Sequence, residues 1–107
     1  MVRLIATDLD GTLLRSDGTV SGFTRKALSR ARNAGIVVVL VSARGPHGVR
    51  LVAKDAGVVD GMAICSNGAL VLDLACDRVL RHRPLPSEIA VEVIHALRER
   101  MPDVCFA

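Results

Sequence analysis

The sequence predicts an α/β fold, the βαβαβ half of an open, parallel, Rossmann-like sheet. Three observations point to it. Short apolar runs at residues 3–7, 36–41 and 61–65 read as buried strands. Two segments of helical periodicity separate them, with short connections. Polar residues gather where each run ends: Asp8 and Asp10, Ser42 and Arg44, Asn67. In open parallel sheets, ligands bind at the carboxyl ends of the strands, so these residues predict one shared rim.

Arg3–Thr7 is the first predicted strand. Asp8–Val20 follows as a loop, with Ser16-Asp17-Gly18 as a turn inside it. The pairs Leu13-Leu14 and Thr19-Val20 on either side of that turn suggest a small hairpin flap. Ser21 is placed to N-cap a helix running to about Ala34. Its expected apolar stripe is Phe23, Ala27, Leu28, Ala31 and Ala34, and Gly35 fits the position just past its end. Ile36–Val41 is the second strand, apolar on both faces as a covered parallel strand is. Pro46 suits the first turn of a second helix, which runs to about Ala56 before Gly57. Gly61–Cys65 is the third strand.

The pattern then changes. Ala69–Asp73 and Val79–His82 alternate like a hairpin around Ala75-Cys76-Asp77, and Pro84 and Pro86 punctuate a link. Ser87 is placed to cap a helix over Glu88–Arg100, with Ile89, Val93, Ile94, Leu97 and Met101 on one face. Val104-Cys105-Phe106 reads as the start of another strand.

Composition narrows the function classes. The 107 residues suffice for one small domain with a modest core. The net charge is +3, but the bases are scattered from Arg3 to Arg100 and only two residues are aromatic. Without a basic stripe or stacking aromatics, nucleic-acid binding is not expected. No apolar run approaches the ~20 residues of a membrane span, and the first one is broken at Asp8, so neither a membrane segment nor a signal peptide is expected. Cys65, Cys76 and Cys105 are odd in number and lack C-x-x-C spacing. They read as reduced, mostly buried thiols in a cytoplasmic protein. His47, His82 and His95 read as surface residues, with no His/carboxylate cluster to hold a metal.

The chemistry concentrates in Asp8-Leu9-Asp10-Gly11-Thr12-Leu13. Alternate strand residues share a face, so Asp8 and Asp10 begin on the same side. Two acids there suit either a divalent cation or a nucleophile beside an acid/base. Gly11 permits a sharp turn and close approach to a ligand. Ser42 is read as a phosphate ligand on its position, with helix capping as the alternative. Arg44 is open between substrate contact and solvent, and Asn67 between substrate contact and a plain turn.

The Asp8–Leu13 stretch resembles the D-x-D-G-T-[LV] nucleophile motif of the haloacid dehalogenase superfamily. Ser42-Ala43-Arg44 is similar to the T-G-R sequence, and Ser66-Asn67-Gly68-Ala69 to the S-N-G-A stretch, of its Cof-like sugar phosphatases. The resemblance spans residues 3–73, and residues 74–107 resemble the start of the α+β cap domain inserted after the third strand. It implies a phosphomonoester hydrolase acting on small phosphorylated metabolites, with sugar phosphates the expected substrates. Asp8 would be the nucleophile, and Asp10 the acid/base, with a pKa suited to proton exchange near neutrality. Mg²⁺ would sit on the Asp8 carboxylate and the Asp10 backbone carbonyl. Leu9, Gly11, Thr12, Ser42, Ala43, Arg44 and Asn67 would hold phosphate or substrate.

The family site also needs a lysine and a further acidic motif. The only lysines here, Lys26 and Lys54, fall on predicted helices, and the remaining acids do not form that motif. The chain is therefore expected to be an N-terminal portion, with its first strand left as a bare apolar edge. Homo-oligomerisation through that edge, or by exchange of residues 74–107, is the expected consequence. An inactive fragment serving as an assembly or phosphate-binding module is the alternative from another class. A sugar phosphomutase-type phosphotransferase is the enzymatic alternative.

Overall fold

A computed structural model describes residues 1–106 of the chain. Its elements in order are β1 (Leu4–Asp8), α1 (Gly22–Asn33), β2 (Val37–Val41), α2 (Pro46–Ala56), β3 (Met62–Cys65), β4 (Leu70–Asp73), β5 (Arg78–His82) and α3 (Ser87–Arg100). They form one five-stranded sheet in sequential order, β1-β2-β3-β4-β5. The first three strands are parallel, and β4 and β5 add antiparallel to them. The α/β class and the βαβαβ unit are as expected.

Local chemistry accounts for the boundaries. The Ser21 side chain accepts a hydrogen bond from the Thr24 N–H at 3.0 Å, so it caps α1. Pro46 sits in the first turn of α2, and Gly57 ends that helix in the left-handed region at φ 73°. Ser87 does not cap α3. Pro86 occupies that place and offers no side-chain bond.

The core lies on one face of the sheet. Leu28 of α1 and Val49, Val52, Ala53 and Ala56 of α2 pack on Val38, Leu40, Ala63, Cys65 and Leu72. Both helices lie on this face because successive right-handed crossovers between strands in sequential order wind the same way. The expectation of a strand covered on both faces holds for β2 at Val39, 6% exposed on the face away from the helices, but not at its start. Leu4 and Val37, partners across β1 and β2, and Met62 on β3 are 52%, 47% and 40% exposed on that face. The α1 stripe is also corrected: Phe23 is 85% exposed, and the buried side is centred on Leu28. Phe23, five residues before Leu28, lies about 140° round the helix from it and cannot reach the sheet.

The loop after β1 is not a paired flap. Two backbone bonds close its turn without forming strands, from the Arg15 N–H to the Thr19 carbonyl and from the Gly18 N–H to the Arg15 carbonyl, both at 2.9 Å. Leu14 and Val20 drop into the core on either side. The β4–β5 hairpin continues the sheet beside β3, so the boundary expected between residues 73 and 74 falls inside it. No buried residue lies on α3: Ile94 and Leu97 of its apolar stripe are half-buried, and Ile89, Val93 and Met101 are exposed. The radius of gyration, 16.7 Å, exceeds the about 13 Å of a compact domain of this length, as expected if α3 stands apart. Residues 104–106 form no strand. Of the thiols only Cys65 is buried, while Cys76 and Cys105 are exposed. All three histidines are exposed, and no described helix is long and apolar enough to cross a membrane.

Leu40 is fully buried at the centre of this one-sided core. Leu40→Ala is expected to cost about 2–5 kcal/mol in urea unfolding, through lost contacts and a residual cavity. Phe23→Ala, by contrast, should stay within about 0.5 kcal/mol, as for other exposed positions.

Candidate active site

Parallel register builds the rim. Asp8 pairs with Val41, and Val41 with Ile64, so three strand ends stand at one level. Beyond it the chain leaves β1 through a tight turn. Asp10 (φ −72°, ψ 122°) and Gly11 (φ 76°, ψ 1°) have the dihedrals of a type II turn, whose third position requires a positive φ. The Leu9 side chain is fully buried between two exposed acids. It anchors the turn in the core, so Leu9 can offer a ligand only its backbone. The Thr12 hydroxyl donates a long 3.4 Å bond to Asp8 Oδ2.

The end of β2 is held by its neighbours. The Ser42 N–H donates to the Ile64 carbonyl at 2.9 Å, and Ser42 Oγ accepts from the Arg44 N–H at 3.1 Å. Ser42 does not cap α2, since Gly45 occupies that position. It is 5% exposed, the one buried polar residue among those described. Ala43 is exposed beside it.

Past β3 the backbone turns left-handed. Ser66, Asn67 and Gly68 have φ of 50°, 53° and 93°. Asparagine and glycine tolerate this region, whereas serine enters it at a cost. The turn directs the Ser66 N–H to the Arg44 carbonyl at 2.9 Å and the Asn67 N–H to the Ser42 carbonyl at 3.4 Å. The loops after β2 and β3 thus become one hydrogen-bonded unit. Asn67 is a turn residue by its backbone, and its side chain is exposed.

Arg44 joins this unit to the acids. Its Nε donates to Asp10 Oδ2 at 2.7 Å and its Nη2 to Oδ1 at 2.6 Å. This fork holds the Asp10 carboxyl below the usual carboxylate range, and Asp10 raises the Arg44 guanidinium in turn. The expectation that Asp10 titrates near neutrality is not met here, because a guanidinium on both oxygens favours the charged form. Sequence patterning had identified both residues but not their contact.

Two further anchors position the loop after β1. Asp55 on α2 accepts from the Val20 N–H at 2.9 Å and from Arg25 Nη2 at 2.7 Å. It thereby ties the far end of the loop after β1 to α2. Asp17 Oδ1 accepts from the Thr19 N–H at 2.9 Å and from the Thr19 hydroxyl at 2.6 Å, which shapes the tip of that loop. The Asp-Gly-Thr sequence announced the second, while nothing local marks Asp55. No group of three or more His, Cys, Asp or Glu converges among the described residues.

A model of the haloacid dehalogenase-like hydrolases matches residues 5–107. The chain belongs to that family. It is similar to the pyridoxal phosphate phosphatase YbhA of Escherichia coli K12, at 39% identity over 98 residues, or 91% of this chain and 35% of the relative. The 5-amino-6-(5-phospho-D-ribitylamino)uracil phosphatase YwtE of Bacillus subtilis is 36% identical over 67% of this chain and 24% of its own length. The structure of a haloacid dehalogenase-like hydrolase from B. subtilis superposes with a TM-score of 0.82 at 32% identity, covering 92% of this chain and 34% of that one. The chain thus spans about a quarter to a third of the length of the relatives it matches.

Two measurements test the geometry of the rim. Gly11→Ala forces a side chain into the left-handed region and should cost about 1–2 kcal/mol of stability. Because the Asp10 carboxyl titrates below its unfolded value, the Arg44 pair stabilises fully above the unfolded pKa. That contribution is lost as pH falls through the folded pKa. An NMR titration should place the Asp10 midpoint below the ordinary carboxylate range, and Arg44→Gln should move it upward.

Proposed function

We propose that this chain carries the nucleophile side of a phosphomonoester hydrolase site for small phosphorylated metabolites, with sugar phosphates as the expected class. One observation carries the reading: Asp8, the turn bearing Asp10, and the buried Ser42 lie together where registered strands end. Relatives named for pyridoxal phosphate, a phosphoribitylamino-uracil and phosphoglycolate support small phosphorylated metabolites in general.

In this reading an Asp8 oxygen attacks phosphorus and the ester oxygen leaves, giving an acyl phosphate on Asp8. Asp10 protonates the leaving oxygen, then takes a proton from the water that hydrolyses the acyl phosphate. The Ser42 hydroxyl and nearby N–H groups hold the phosphate oxygens, with Gly11 and Thr12 in the turn and Ala43, Arg44 and Asn67 at its margin. The donor set suits Mg²⁺, a hard cation that accepts few protein oxygens and keeps water. The exposed Asp8 carboxylate and the Asp10 carbonyl would hold it. Mg²⁺ there would offset the repulsion between Asp8 and an anionic substrate.

A second reading, a phosphate-binding or assembly module without turnover, is favoured by the cations. Lys26 and Lys54 lie on α1 and α2, and Arg44 is the cation that touches the acids. Turnover of p-nitrophenyl phosphate with Mg²⁺ separates the two. Hydrolysis that disappears in Asp8→Asn is the expected result, since an amide forms no acyl phosphate. Phosphate binding without turnover would favour the module, and absence of both would defeat both readings.

The same exposed surfaces support self-association. β1 is an edge strand, and the sheet face carrying Leu4, Val37 and Met62 has no helix over it. Pairing through β1, or exchange of residues 74–107, would cover apolar surface. The three free thiols support a reducing, cytoplasmic setting. Light scattering at high concentration should show a species above monomer mass, and a monodisperse monomer would sink this proposal.

A further inference from the structure

We propose that Arg44 exchanges partners at this rim: its guanidinium, forked onto Asp10 in the resting chain, passes to the oxygens of an entering phosphate and so releases Asp10 to face the reacting ester. The inference rests on the phosphate reading above and adds an order of events to it.

Geometry comes first. Both Asp10 oxygens are engaged by Arg44, at 2.6 and 2.7 Å. The fork holds the open edge of the carboxylate against Arg44 and leaves each oxygen only its outer lone pair, so turning that edge to a leaving group requires the fork to open. Carboxylate and phosphate offer the same pair of acceptor oxygens to a guanidinium, so one can replace the other without loss of hydrogen bonds. The pair is also accessible, with side chains 38% and 58% exposed for Arg44 and Asp10. Exposed pairs are weak and exchange readily.

The main chain of Arg44 is fixed independently of its side chain. Its N–H donates to Ser42 Oγ at 3.1 Å, and its carbonyl accepts from the Ser66 N–H at 2.9 Å. The guanidinium can therefore swing while its base, two residues from Ser42, stays in place. No other described ion pair competes for this role. Arg25–Asp55, Arg32–Asp60 and Arg50–Asp77 join α1 and α2 to each other and to the loops after α2 and β4.

The test is a binding cycle on the 107-residue chain. Inorganic phosphate is titrated calorimetrically, without divalent cation and at constant ionic strength, into wild type, Asp10→Asn, Arg44→Gln, the double variant and Asp8→Asn. Asp10→Asn should tighten phosphate binding about two- to fivefold, the range set by freeing an exposed ion pair. Arg44→Gln should weaken it, and the Asp10→Asn gain should vanish in the Arg44→Gln background. Asp8→Asn removes the same charge without touching the fork, so any gain it brings reports the general field alone. A gain from Asp10→Asn that survives Arg44→Gln would show charge removal and overturn the exchange. If phosphate binds but Arg44→Gln does not alter its affinity, the exchange fails and the phosphate site stands. If no variant binds phosphate, the phosphate reading itself fails, and the exchange with it.

Discussion

Parallel pairing of β1, β2 and β3 is the constraint on which the rest of the structure depends. Each ladder bond satisfies a backbone group that would be costly to leave unpaired in the interior. The register brings Asp8, Val41 and Ile64 to one level, so the next residues of three segments distant in sequence must meet. The bonds from the Ser42, Ser66 and Asn67 N–H groups extend the ladder past the strands and lock two loops together. Rim precision is therefore inherited from the sheet rather than created by the loops. The buried Leu9 does the same for the acids, because a side chain fixed in the core fixes the turn that follows it.

Charge then decides what the rim is at rest. Asp8 and Asp10 would repel any phosphate, and one arginine offsets part of that field by forking onto Asp10. A fork on an exposed carboxylate contributes modestly to stability but strongly to orientation. It leaves Asp8 exposed to solvent with no arginine or lysine on it. Membership in the haloacid dehalogenase-like hydrolases gives this asymmetry of two neighbouring acids a chemical setting.

One-sided packing is the energetic counterpart of this order of strands. With α1 and α2 on a single face, the buried set is small and centred on Leu40, Val49, Val58 and Leu72. The opposite face and the α3 stripe leave apolar side chains in water, an arrangement at odds with the area-proportional gain from burying them. The rim lies at the end of the packed side, where its loops rest on Leu14, Val20 and Cys65 of the core.

Sequence alone determined the strands, the first two helices, the hairpin and the identity of the rim residues. The reason is that apolar periodicity, Ser21, Pro46, Gly57 and Gly11 act locally, within a few residues of the feature they specify. It misplaced Phe23, the capping of α3 and a strand at residues 104–106, because each depends on what lies opposite rather than on neighbours in the chain. Tertiary structure alone decided that both helices share one face, that Asp55 tethers the loop after β1, and that Arg44 grips both oxygens of Asp10. Those contacts join residues some thirty positions apart, and a linear pattern can place such residues on one rim without knowing which of them will touch.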